Sequence, residues 1–162
     1  MSAPVVVFAV GNPSRGDDAI GPEICGRLAE MLENRGLTAE VELIEDFQLN
    51  IEHALDLCGR RLALFVDAGD NTPGPFVFSR IGASTALGHS THALPPESVL
   101  GVYERTEGAA PPPSFVLCVR GERFALGEAL GAAATRHVAA AMALLERLLA
   151  DPRETVWAAA AA

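Results

Sequence analysis

The sequence predicts an α/β domain. We expect a three-layer αβα sandwich with a mostly parallel, twisted sheet of about five strands and helices on both faces. The run "PVVVFAV" (residues 4–10) is apolar and rich in β-branched residues, which is typical of a strand buried on both faces. A second apolar run, "LALFVDA" (62–68), has the same character. Strand-like segments alternate with segments of helical periodicity, and this alternation favours a parallel sheet with crossover helices.

The first half of the chain follows this alternation. After the first strand, apolar residues recur at helical spacing between residues 19 and 35, and Gly36 is a natural helix stop. Pro22 restricts this helix to a start close before it, because proline is tolerated only in the first turn. The segment "AEVELIE" alternates as a strand does, and "NIEHALDLC" is typical of a short helix. The predicted elements are strands at 4–10, 39–45 and 62–68 and helices at 19–35 and 50–58.

The second half continues the pattern up to residue 150. A small-residue loop at 82–94 precedes a helix that begins with proline near its start. The predicted elements are strands at 75–81 and 114–121 and helices at 95–105 and 126–150. Residues 1–150 are therefore expected to form a single domain. The alanine-rich tail, 151–162, is expected to be mobile or foreign to the natural chain.

Composition excludes several classes of protein. The chain has 162 residues, 49% of them hydrophobic, which suits one globular domain with its own core. A net charge of −9 argues against a nucleic-acid partner, whose phosphates need a basic face. No apolar run has the length of a membrane span, and the N-terminus lacks the basic region of a signal peptide. Three widely spaced cysteines predict reduced thiols and a cytoplasmic location.

The loop "GNPSRGDDAIGP" (11–22) after the first strand is acidic where a phosphate-binding loop would be glycine-rich and basic. It has neither the Lys-Ser/Thr pair of a P-loop nor the GxGxxG of a dinucleotide-binding turn. The GxSxG elbow of serine hydrolases is also missing. Asp17 and Asp18 are the groups that this loop offers to a ligand.

Three groups are expected to converge at one edge of the sheet. Parallel strands place their carboxyl ends together, so Asp18 and Asp67 should meet there, with the loop at 82–94 carrying His89 and His92. Carboxylates with an imidazole favour a divalent metal site with oxygen and nitrogen ligands. Each residue also has an ordinary interpretation. Asp17 is typical of a helix cap, Asp18 of the first helical turn, Asp67 of a turn, and a loop histidine of solvated surface.

The segment "VFAVGNPSRGDDAIGPEI" resembles the N-terminal signature of the nickel–iron hydrogenase maturation endopeptidases. That family has a strand, then Gly-Asn (here Gly11 and Asn12), a short variable loop, an Asp followed by Asp or Glu, and a helix containing glycine. The resemblance extends in order through "LALFVDAGD" and "STHALPPESVL" to "SFVLCVRG" and the last helix, and so covers nearly the whole domain.

The resemblance implies a specific reaction. Members of the family remove a C-terminal extension from the precursor of the hydrogenase large subunit after nickel has been inserted. The family's metal-contacting residues match Asp18, Asp67 and His92, with His92 a better match than His89. Asp18 and Asp67 would also be the catalytic residues, and Gly11, Asn12 and Asp17 would support them. The nickel would come from the substrate. Independently of the resemblance, we expect a monomer, because the surface of the protein must accommodate the tail of another protein.

The chain departs from the family pattern at two places, and three alternative functions also stay open. The Asp-Gly turn that often follows the second strand is replaced here by "EDFQLNIEHALDL", which resembles the branch that serves soluble, NAD-linked bidirectional hydrogenases. Asp18 is one methylene shorter than the glutamate of some relatives. The alternatives are a non-catalytic chaperone that checks for nickel, a related peptidase with another substrate, such as a spore-type germination protease, and a nucleotide-binding module.

Overall fold

The computed structural model describes residues 2–84 and 94–162, and a five-stranded sheet is at its centre. The strand order is β2-β1-β3-β5-β4. Neighbouring strands are parallel except for β4, which runs antiparallel to β5 at the sheet edge. The mostly parallel five-stranded sheet that the sequence predicts is therefore confirmed. The strands are β1 (Val5–Val10), β2 (Val41–Asp46), β3 (Leu62–Gly69), β4 (Phe76–Ile81) and β5 (Ser114–Arg120).

Helices connect the strands on both faces of the sheet. Two of the connecting elements are 3₁₀ helices, at Gly16–Ala19 and Ile51–Leu57. The α-helices are α1 (Ile20–Arg35), α2 (Pro96–Glu107), α3 (Ala132–Ala150) and α4 (Glu154–Ala160). Within residues 2–84 and 94–162, no helix combines the length and apolar character needed to span a membrane.

Strand β1 shows why the domain has three layers. All six of its residues are buried, and alternate side chains face opposite sides of the sheet. Val5 and Val7 belong to one core with α1, α3 and α4, whereas Val6, Phe8 and Val10 belong to the other core. That second core lies under α2 and the 3₁₀ helix Ile51–Leu57. The predicted helices on both faces are confirmed.

The prediction of a mobile tail at 151–162 is wrong. Residues Glu154–Ala160 form α4, and Trp157 is fully buried. The indole N–H of Trp157 donates a 2.8 Å hydrogen bond to the carbonyl of Leu148, and the ring packs edge-on against Phe115. A tryptophan buries a large apolar area, and its N–H has a partner here, so Trp157 anchors this short helix together with Val156 and Ala158, which pack against the same core.

The last long helix starts later than the sequence predicts. Helical spacing begins at residue 126, but α3 begins at Ala132. The preceding segment is held in a loop by hydrogen bonds to the acidic loop after β1, among them those from Gly16 N to the carbonyl of Glu128 and from Gly127 N to that of Ser14. These tertiary contacts outweigh the helical propensity of a few residues.

The strand order creates a crevice between β1 and β3. The chain leaves β1 for β2 on one side and then crosses to β3 on the other side of β1. In open α/β sheets, ligands bind outside the carboxyl ends of the strands at such a switch point. The acidic loop follows β1, and Asp67 lies near the end of β3, so both predicted acids come from the two strands that flank the crevice.

Candidate functional site

Asp18 lies in the loop after β1, where local hydrogen bonds hold its carboxylate. The backbone N–H of Asn12 donates to Asp18 Oδ2 at 2.7 Å. The side chain of Asn12 in turn accepts a 2.9 Å hydrogen bond from the N–H of Ser14. The short loop therefore closes on itself and fixes the Asp18 carboxylate at the carboxyl edge of β1.

Gly11 permits this closure. Its N–H donates to the carbonyl of Asp46 at 3.1 Å, and its φ of +150° lies in a region that other residues rarely adopt. A Cβ on Gly11 would collide with the backbone oxygen of Asp18. The glycine thus allows the end of β1 to approach the residue that carries the first candidate acid.

Replacing Gly11 with alanine is expected to destabilise the fold by about 2–4 kcal/mol, since backbone strain adds to the collision with Asp18. Urea unfolding measures the loss. Gly26→Ala is a matched control, because Gly26 is exposed in α1 and no atom lies within 4 Å of the position that the added methyl group would occupy. This control should stabilise the protein by about 0.5–1 kcal/mol. Equal stability of the two variants would contradict the role assigned to Gly11.

Asp67 is partly buried near the end of β3, and its environment opposes ionisation. Successive residues of a strand face opposite sides, so Asp67 continues the row of Ala63 and Phe65 on the α2 face of the sheet. Burial raises the pKa of Asp67 to about 7, and the charge of Asp18 also raises it. The N–H of Ala68, which donates to Oδ1 at 2.7 Å, acts in the opposite direction. A carboxyl group with this pKa can accept and release a proton near neutral pH.

The two acids line one cavity of about 440 Å³. Apolar side chains from β1, β3 and β5 form much of its wall, including Val10, Phe65 and Val116. The predicted convergence of Asp18 and Asp67 at the sheet edge is therefore seen in the structure. The arrangement places two carboxylates in the wall of one largely apolar cavity, close enough for the charge of Asp18 to affect Asp67.

A second, polar cavity of about 810 Å³ adjoins the first at Asp18. Asn12, Arg15, Asp46 and Asn50 line it together with Asp18. Asp18 and the neighbouring residues 47–48 contribute to both cavities. A bound chain could thus extend from one cavity to the other across the Asp18 carboxylate.

His53 supports the wall of the polar cavity, a role that the sequence did not reveal. The ring is buried and packs edge-on against Phe8. Its Nδ1 accepts a 2.9 Å hydrogen bond from the N–H of Asn50, which assigns the proton of the neutral ring to Nε2, 3.4 Å from the Asp46 carboxylate. The imidazole therefore holds both ends of the 46–50 loop.

Asp17 does not cap a helix, contrary to its interpretation from sequence. Its side chain is 1% exposed, and its carboxylate accepts backbone hydrogen bonds from Glu122, Arg123 and Gly131 at 2.7, 3.0 and 2.8 Å. Burial raises the pKa of Asp17, but these three hydrogen bonds and the charge of Arg123 together outweigh it, and the net pKa lies below the ordinary value. Asp17 joins two loops that are distant in sequence, a pairing that no local pattern predicts.

The predicted histidine ligands, His92 and His89, lie outside the described residues. Among residues 2–84 and 94–162, no three His, Cys, Asp or Glu side chains form a cluster that could hold a metal ion. The metal-contacting set Asp18, Asp67 and His92 therefore stays a prediction. The structure places Asp18 and Asp67 at the same cavity, and His92 is not among the described residues.

Cys25 and Cys58 are poor candidates for a nucleophile. Burial raises the pKa of Cys25 to about 11, and Glu45 adds to the shift. The pKa of Cys58 is also raised by burial and by Glu107. A thiol with a raised pKa contains little thiolate at neutral pH, so neither residue suits nucleophilic catalysis. Cys118 lies 3.3 Å from the hydroxyl of Thr72, and all three thiols are free.

Comparison with solved structures identifies proteins of the same fold. The [NiFe] hydrogenase maturation protease HycI from Thermococcus kodakarensis matches with a TM-score of 0.69 and 22% identity, over 92% of this chain and 94% of its own. The hydrogenase maturating endopeptidase HybD from E. coli matches with a TM-score of 0.63 and 22% identity, over 91% of this chain and 92% of its own.

A hydrogenase 2 maturation peptidase from a Thaumarchaeota archaeon also matches, with a TM-score of 0.64 and 20% identity over 90% of this chain and 97% of its own. No protein-family model and no curated protein sequence matches the chain. At these identities the structural likeness establishes the architecture. The chain therefore has the fold of the hydrogenase maturation proteases along nearly its whole length.

Proposed function

We propose that this protein is an endopeptidase of the nickel–iron hydrogenase maturation family. It removes the C-terminal extension of the large-subunit precursor. The observation that carries the proposal is the position of Asp18 and Asp67, which line one cavity at the β1–β3 switch point of this fold. The fold that the chain shares with proteins described as hydrogenase maturation proteases supports the choice of substrate.

Nickel in the precursor is part of the substrate in this proposal. Asp18, Asp67 and His92 contact it, and oxygen and nitrogen ligands of this kind suit a divalent ion of borderline character. The precursor would reach the catalytic carboxylates only when nickel completes the contact. Nickel bound to the substrate would supply Lewis-acid polarisation of the peptide carbonyl.

The two carboxylates have different roles in amide hydrolysis. The oxygen of a water molecule bonds to the peptide carbonyl carbon, and Asp67 accepts a proton from that water. The C–N bond then breaks, and the same proton passes to the leaving amine nitrogen. The products are a shortened large subunit with a new carboxylate and a released peptide with a new amino group. Asp18 holds the substrate in position, which supplies part of the rate.

We also propose that the protein acts as a monomer in the cytoplasm. Its three cysteines are all free in the structure, as expected in a reducing compartment. The acidic net charge of −9 is consistent with a protein substrate in place of nucleic acid.

Incubation of the purified protein with the large-subunit precursor of its own organism, with and without nickel, tests the function. We expect the mass of the large subunit to fall by one C-terminal peptide in the nickel-loaded sample alone.

Asp18→Asn should lower the rate about 10²-fold or more, because the amide keeps an oxygen for the Asn12 N–H but loses the charge.

Three other outcomes would contradict the proposal in different ways. A stable complex without any mass change would indicate a chaperone that checks for nickel. Cleavage of unrelated proteins at a similar rate would indicate a peptidase with another substrate. No complex and no cleavage, together with binding in a nucleotide titration, would indicate a nucleotide-binding module.

A further inference from the structure

We propose that the apolar cavity beside Asp18 and Asp67 is a specificity pocket for an apolar side chain next to the cleaved bond. This inference rests on the proposed function, since it assigns a place in the cavity to one residue of the peptide substrate. That residue is aliphatic or aromatic, and side chains in the wall of the cavity select it.

The register of the sheet separates the acidic part of the cavity from the apolar part. In β3, Phe65 lies two residues before Asp67 on the same face, and it pairs with Val116 of β5. Asp67 is therefore nearer to the carboxyl edge, and Phe65 and Val116 lie further in. A peptide whose backbone contacts the carboxylates would direct one side chain inward, toward these apolar residues.

The wall of the inner part is suited to an apolar occupant. Leu49 and Phe65 are buried, and Leu94 and Val116 are partly buried around the cavity. The described residues of the wall include no lysine or arginine that could pair with an acidic side chain. Asp18 and Asp67 in the same wall would repel an acidic residue, and entry of an apolar side chain removes apolar surface from water on both partners.

The size of the cavity limits what it can hold. Its volume of about 440 Å³ lies near the lower end of the range for ligand pockets, which suits one or two residues of a peptide. The polar cavity on the other side of Asp18 has different chemistry, with Asn12, Arg15 and Asp46 in its wall. The two sides of the cleaved bond would thus contact surfaces of opposite character.

The first test lowers the volume of the pocket by a substitution in the enzyme. Val116→Phe should fill part of the cavity and lower kcat/KM on the nickel-loaded precursor by about tenfold or more, in line with the effect of one or two methylene groups in a hydrophobic pocket. Val102→Phe is the matched control. Val102 packs against the same core cluster but is not part of the cavity wall, so this variant should keep the wild-type rate.

The second test changes the substrate and does not depend on the folding of a variant enzyme. The mass of the product from the wild-type reaction identifies the cleaved bond, and each flanking residue of the precursor is then changed to alanine and to aspartate. We expect one of the two natural residues to be apolar and its replacement by aspartate to lower the rate about tenfold or more. On a precursor with alanine at that position, the rates of the Val116→Phe enzyme and the wild-type enzyme should differ much less than they do on the natural precursor.

The outcomes distinguish the pocket from the function. If wild-type protein cleaves the precursor but tolerates aspartate at both flanking positions, the specificity pocket is refuted and the endopeptidase stands. The same conclusion follows if both natural flanking residues are polar or charged. If wild-type protein cleaves no nickel-loaded precursor, the proposed function fails and the pocket fails with it.

Discussion

Asp67→Asn is expected to stop processing of the precursor and, in the same molecule, to make the folded protein more stable at pH 8. The first effect follows from the loss of the group that accepts and returns the proton, which should lower the rate by about 10²–10⁴-fold. The second follows from the environment of Asp67, where burial and the nearby charge of Asp18 oppose the ionised form.

The sign of the stability change depends on pH. The pKa of Asp67 is about 7 in the folded protein, above the ordinary value of about 3.9 expected for the unfolded chain. Between these values the folded state binds more protons, so the stability that a neutral Asp67 contributes is present below pH 4 and is lost as pH rises through 7. Asparagine cannot ionise, and its side-chain oxygen can still accept the hydrogen bond from the N–H of Ala68.

Thermal or urea unfolding at pH 5 and pH 8 measures this effect. We expect Asp67→Asn to exceed the wild type by about 1–3 kcal/mol at pH 8 and to differ less at pH 5, a magnitude reduced from the full pKa shift because the side chain is partly exposed. Asp70→Asn is the control: it removes an exposed carboxylate three residues away and should change stability by less than about 0.5 kcal/mol. An Asp67→Asn protein that is inactive but less stable at pH 8 would contradict the assigned environment.

Asp17→Ala is expected to destabilise the fold by about 3–5 kcal/mol. The substitution leaves three backbone N–H groups, those of Glu122, Arg123 and Gly131, without the charged acceptor that they have in the structure. The carboxylate that accepts them is 1% exposed, so water can replace it only if the two loops separate. Such separation would also release the loop that holds Asp18.

Urea unfolding of Asp17→Ala and Asp17→Asn checks this role. The asparagine variant retains one acceptor oxygen and should lose less, about 1–3 kcal/mol. Because the pKa of Asp17 is lowered in the folded state, the stability that it contributes is present above about pH 4 and is lost as pH falls below its folded pKa. The difference between wild type and Asp17→Ala should therefore shrink in acid.

Asp70→Ala removes an exposed acid of the same kind and is the control for Asp17→Ala. It should unfold at nearly the wild-type urea concentration. If Asp17→Ala also unfolds there and processes the precursor normally, the three hydrogen bonds do not join the loops as described. If Asp17→Ala is less stable but processes the precursor at the full rate at temperatures where it stays folded, Asp17 stabilises the fold and does not affect the position of Asp18.

The five strands, most of the helices and the edge of the sheet where the acids lie could be predicted from the amino-acid sequence. Strand β1 and the first five residues of β3, Leu62 to Val66, are continuous apolar runs, and such runs are predictable because burial on both faces leaves no polar position. The position of Asp18 and Asp67 at one edge followed from the rule that parallel strands end together. These signals are local in sequence or depend only on topology.

Other features depend on contacts between segments that are distant in sequence. Asp17 accepts hydrogen bonds from residues more than 100 positions away, and Trp157 docks α4 onto the core, so neither role has a local pattern. The apolar pocket beside Asp67 combines Leu49, Leu94 and Val116 from three separate segments. Side-chain packing across distant segments fixed these features, whereas the periodicity of a single segment was enough for the strands and helices.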